Sequence, residues 1–139
     1  MAGGKAEAVL RWSLRVGGAY FVAVTAAHWL GTKIPGLFIY YSIPSYTYLD
    51  RGIGTLSFGW AVFIFAASRQ RSLMPAILVT GVGGILGFSL INLSGEIASL
   101  ASPHDLAMFW CELAVLAGYL VWLTVWSALA QREFRRQGT

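Results

Sequence analysis

Charge is what this sequence has least of. Only 12% of its residues are Asp, Glu, Lys or Arg, about half the share of an ordinary soluble domain. A single cysteine, Cys111, excludes an intrachain disulfide framework and any metal site made of cysteines alone. There is no phosphate-binding loop, because no strand precedes the glycines between Gly81 and Gly87, which read as helix-packing residues. There is no legible Ser-His-Asp arrangement either. Ser102-Pro103-His104-Asp105 is better explained as the start of a helix.

Long apolar blocks are what the sequence does have. It is 57% hydrophobic with a mean hydropathy of +0.64. A membrane-spanning helix needs roughly 20 mostly apolar residues, and four segments qualify, at about 9–30, 50–68, 73–93 and 103–130. The expected fold is therefore all-α: one domain over 1–139, an integral membrane antiparallel four-helix bundle with an aromatic extracytoplasmic loop. Thr25-Ala26-Ala27 has the small residues of a signal-peptide cleavage site, but the first span is expected to be retained. Thr47 before Asp50, and Ser102 before Asp105, fit a hydroxyl cap with an acid in the first turn. Ser72 is a further expected cap, with Pro75 inside the third span's first turn. Arg69-Gln70-Arg71 is so short a connection that the second and third spans are expected to be antiparallel neighbours.

The net charge of +4 sits at helix ends, so it reads as a topology signal and not as a nucleic-acid footprint. Lys5, Arg11, Arg15, Arg69, Arg71, Arg132, Arg135 and Arg136 fall on one side, and Lys33 and Arg51 on the other. By the positive-inside rule both termini are expected to be cytoplasmic.

Each span also carries a stripe of small residues: Gly17, Gly18 and Thr25; Gly52, Thr55, Gly59 and Ala66; Thr80, Gly83, Gly84 and Gly87; Ala107, Cys111, Ala114 and Gly118. Small residues let helices approach closely in lipid. The stripes predict a tight interior, with Phe109, Leu113, Leu116 and Leu120 facing outward. Such an interior leaves little room for a pore or a large cofactor, and no cofactor is expected. Haem between His28 and His104, a quinone, and a metal held by His28, His104, Glu112 and Asp50 are the minor alternatives.

Between the first two spans, Phe38, Tyr40, Tyr41, Tyr46 and Tyr48 crowd into one loop. Tyrosine favours the membrane–water boundary, so this loop is expected to lie as an ordered cap on the outer face. The polar groups gather at the same end. Asp50, Arg51, Asn92, Glu96, His104, Asp105, Glu112 and His28 form the candidate site. Glu112 is the most telling, since an acid about two turns into a span is costly unless it is protonated or paired. Arg51 and His28 are its expected partners, and Asp105 lies one heptad before it.

The stretch Tyr40 to Ser68, with Tyr-Tyr-Ser-Ile-Pro-Ser-Tyr-Thr-Tyr-Leu-Asp-Arg-Gly-Ile-Gly and then Phe-Gly-Trp-Ala-Val-Phe, resembles small uncharacterised bacterial four-helix membrane proteins. The overall plan is similar to the DoxX-type superfamily, and that resemblance implies a redox or quinone-associated role. No catalytic motif comes with it. The leading expectation is a non-enzymatic accessory or assembly subunit, with the lipid bilayer and other membrane subunits as partners. The alternatives are the DoxX-like role and a small proton-coupled transporter using Glu112.

Overall fold

The computed structural model describes residues 4–137, and these are helical and irregular, with no strand among them. Five α-helices follow in order: α1 (Lys5–Leu30), α2 (Thr47–Ala67), α3 (Met74–Asn92), α4 (Gly95–Leu100) and α5 (Pro103–Gln137). A 3-10 turn, Arg71–Leu73, leads into α3. Two stretches, Arg71–Asn92 and Pro103–Arg136, are long and apolar enough to cross a membrane. α1 and α2 have the length, but Glu7, Arg11 and Arg15 interrupt the first and Asp50 and Arg51 the second. α4 is a short helix absent from the expected plan, started by Ser94, whose hydroxyl accepts the Ile97 N–H.

The helix ends show which sequence signals count. α1 stops at Gly31, whose φ of 65° is left-handed and whose N–H caps carbonyls of the last turn, as glycine does best. Ser102 opens α5 as expected: its Oγ accepts the Asp105 N–H at 3.1 Å and donates to Asp105 Oδ2 at 2.8 Å. Thr47 and Ser72 are not caps. Tyr46 and Leu73 hold those positions, neither with a side-chain bond. Ser45 instead donates to Asp50 Oδ2 at 2.8 Å, and Pro75 sits in the first turn of α3, where its missing N–H costs nothing. At the same end as Pro75, Glu133 caps α1, both carboxylate oxygens accepting the Ala6 N–H.

α1 packs between α2 and α5, and α3 packs on the far side of α5. α2 and α3 follow each other in the chain yet make only a thin seam. The end that carries the amino terminus and the Arg69–Leu73 corner holds the dense core: Leu10 and Leu14 of α1, Ile64 of α2, Ile77 of α3 and Leu123 of α5.

The expected tight interior of small residues is corrected here. α1's stripe turns inward, and of α3's stripe Thr80 and Gly84 line a cavity. Gly17 is buried because the Tyr119 ring lies on it, with Cζ 2.8 Å from where a β-carbon would stand, and Tyr119 Oη donates to the Ser13 carbonyl at 2.8 Å. By contrast, Gly52 and Gly59 of α2, and Ala107, Cys111, Ala114 and Gly118 of α5, are all exposed. The bulky face of α5 points in, with Phe109 and Leu113 buried and Leu116 and Leu120 half-buried. The reason is volume. Four helices at ordinary spacing leave more space than alanine and glycine can fill, and large side chains close it.

Candidate functional site

The loop of residues 31–46 folds over one end of the bundle and is tied to three helices. Tyr20 of α1 donates its hydroxyl to the Gly36 carbonyl at 2.7 Å. The Gly36 N–H donates to Glu112 Oε1 of α5 at 2.8 Å. Tyr40 donates to Asn92 Oδ1 of α3 and Tyr41 to Asp105 Oδ1 of α5, both at 2.9 Å. Gly36 has φ of 82°, which glycine adopts freely. Tyr40 has φ of 58° without that freedom. Its ring meets Phe109 edge-on at 4.9 Å, and this contact with the Asn92 bond holds the costly backbone in place.

Phe38 is the plug of the cap, 1% exposed. It stacks on the His28 ring at 4.0 Å. Lys33 stands over its other surroundings, with Nζ 5.6 Å from the ring centre and donating to the Ile43 carbonyl at 3.1 Å. His28 is equally buried, and neither of its ring nitrogens has a hydrogen-bond partner among the described residues. It serves as a flat plate against Phe38.

Beneath the cap lies a cavity of about 440 Å³, walled by all four long helices and by Ile39 and Tyr40 of the loop. Most of its wall is carbon, with Trp60, Ile85 and Phe88 among the larger contributors, and its polar groups include Tyr20, Tyr40, Asn92 and Glu112. Leu56 of α2 and Ile91 of α3 belong to the wall and are also exposed, at 72% and 41%. The cavity therefore opens to the surface along the thin α2/α3 seam.

The candidate residues divide sharply. Glu112, Asn92 and Asp105 are bound into the cap, the first two lining the cavity. Asp50 is buried at the rim against Ser45, and His28 lies under Phe38. Arg51 is exposed over the Trp29 ring at 5.8 Å, and His104 and Glu96 are exposed. The expected pairing of Glu112 with Arg51 or His28 is corrected: its partner is a loop amide. Of the two histidines His28 is buried and His104 exposed, and among the described residues no group of three His, Cys, Asp or Glu is placed to hold a metal. Cys111 is corrected too, being exposed rather than packed.

Two loop tyrosines have altered acidity. Burial first, then the Glu112 charge, pushes the Tyr40 hydroxyl up to about 12. The bond to Asp105 raises Tyr41 from its ordinary value. Sequence reasoning missed Gly36 and Tyr20, because neither a glycine amide nor a single tyrosine has a spacing that marks it as a partner. Compared with known proteins, the chain matches no family model, no curated protein and no solved structure.

Proposed function

We propose that the protein spans a bacterial cytoplasmic membrane four times, with both termini cytoplasmic, and holds a lipid-soluble ligand between its helices. The spanning part is supported by length and by surface. α1 and α2 have 26 and 21 residues, about 39 and 32 Å at 1.5 Å each, against a hydrocarbon core of about 30 Å. Val16, Leu56, Val79 and Val115, one from each long helix, are 65–72% exposed. Apolar surface on every side of a bundle suits lipid and not water. Lys and Arg bias supports the orientation.

The single observation behind ligand binding is the cavity. Its volume of about 440 Å³ falls in the ordinary range for small-molecule sites, and so does a carbon wall with a few convergent polar groups. Its mouth opens toward the acyl chains, so the ligand arrives from the bilayer. The test is extraction of the purified protein and of its Gly84→Leu variant, with the organic extract read by mass spectrometry against bulk membrane. Gly84 lines the cavity, and a β-carbon there meets nothing within 4 Å, so leucine grows into the space. One species should be enriched with the native chain and lost from the variant. Equal retention by both, or no enrichment, counts against the reading. A quinone as that species would favour the DoxX-like role.

A second reading, an accessory or assembly subunit, draws on the exposed small-residue stripe of α5, Ala107, Cys111, Ala114 and Gly118. Such stripes let another helix approach closely. In the same preparation a constant protein companion favours it, and a chain that always runs alone opposes it.

A further inference from the structure

We infer that the ligand of this cavity is a lipophilic monocation, an apolar body bearing one onium or protonated amine centre, with Glu112 as its counter-charge. This rests on the ligand-binding reading above and adds the sign of the charge. Among the described residues Glu112 is the one formally charged side chain in the cavity wall, and no Lys, Arg or His shares that wall. The Gly36 amide engages Oε1 alone, and Oε2 has no hydrogen bond among the described residues. Two cations of the loop end make other contacts: Arg51 lies over Trp29, and Lys33 donates to the Ile43 carbonyl.

The two tyrosine hydroxyls at the loop end of the cavity point the same way. Tyr20 and Tyr40 both spend their hydroxyl hydrogens on protein acceptors, the Gly36 carbonyl and Asn92 Oδ1. What they can still offer a ligand is oxygen lone pairs. The wall also presents aromatic faces, Tyr40 and Phe109 in edge contact at 4.9 Å with Phe88 beside them, and such faces attract cations. A carboxylate alone in an apolar cavity is expensive. A bound cation pairs it, a neutral ligand leaves it to take up a proton, and an anion would face like charge at low dielectric wherever it stays ionised.

Binding of three compounds to the full chain in nanodiscs of zwitterionic lipid tests this, with empty nanodiscs subtracted. The compounds are tetraphenylphosphonium, its anionic counterpart of like shape tetraphenylborate, and neutral triphenylphosphine oxide. The cation should bind about tenfold or more tightly than the anion, and Glu112→Gln should remove about tenfold of the cation's affinity. Glutamine keeps an oxygen to accept the Gly36 N–H, so the cap persists. A monodisperse elution and unchanged helix content verify that the variant is folded. Gly84→Leu should abolish binding of both the cation and the neutral oxide.

The two levels of the proposal fail differently. Should Gly84→Leu abolish binding while cation and anion bind within about twofold of each other, or while Glu112→Gln leaves the cation within about twofold, the charge assignment is overturned and the cavity reading survives. Should binding of cation and oxide persist in Gly84→Leu, the cavity reading itself falls.

Discussion

At the amino-terminal end of the bundle, Leu10, Leu14, Ile64, Ile77 and Leu123 fill the space between four helices with carbon. At the other end the long helices are held by a single loop through the hydroxyls of Tyr20, Tyr40 and Tyr41 and the Gly36 amide. The first kind of packing has no directional parts and tolerates no void. The second is directional, and it bridges a cavity that packing alone would have closed. A bundle that must stay together and also open a space needs both. The core fixes where the helices cross, and the loop holds their far ends apart at a defined distance.

The comparison is broken most directly at the core. Leu14 is 1% exposed, and Leu14→Ala should lower stability by about 3 kcal/mol through the void it leaves. Unfolding in mixed micelles with rising denaturing detergent, followed by helix content, measures it. A loss under about 1 kcal/mol would mean that the capped end, and not the carbon core, holds the bundle together.

The capped end should give way to alkali before the core does. Tyr40 titrates near 12 in the folded protein against 10 unfolded, so the native state keeps the proton longer. Its stabilising contribution is complete below pH 10 and is lost as pH rises toward 12. Two units correspond to roughly 2–3 kcal/mol at most. Tyrosinate absorbance against pH should show a late class of tyrosines, and Tyr40→Phe should remove part of it. A single transition at the ordinary tyrosine value would show that the Tyr40 hydroxyl is not buried beside Glu112 in solution.

The same contrast explains how much could be read beforehand. The four long helices were legible because apolar length needs no partner to be recognised, and the Ser102–Asp105 cap was legible because it is local. Asp50, Asn92, Asp105, Glu112 and His28 all touch the loop at one end, a level that helix length alone fixes. Their partners were not legible. Glu112 meets a backbone amide of an irregular loop and Asp105 meets Tyr41, and neither contact has a period. The facing of α2 and α5 was misread for a different reason. When a helix is apolar all round, hydropathy does not separate inside from outside. Small residues then fit equally well against a neighbour in the same chain or against one from another chain.

The smallest expected effect is also the most local. Tyr41 lies at the edge of the cap, and its hydroxyl reaches Asp105 Oδ1 at 2.9 Å. Asp105 keeps its bonds with Ser102 when that hydroxyl is gone, so no buried acceptor is orphaned. Tyr41→Phe should therefore cost about 1 kcal/mol or less, the net worth of one exchanged hydrogen bond. The loss should appear as faster amide exchange and proteolysis within residues 31–46, with the global unfolding midpoint unmoved. If the midpoint falls as far as it does for Leu14→Ala, loop and core unfold as one unit. The division between a packed end and a latched end would then describe the static structure but not its energetics.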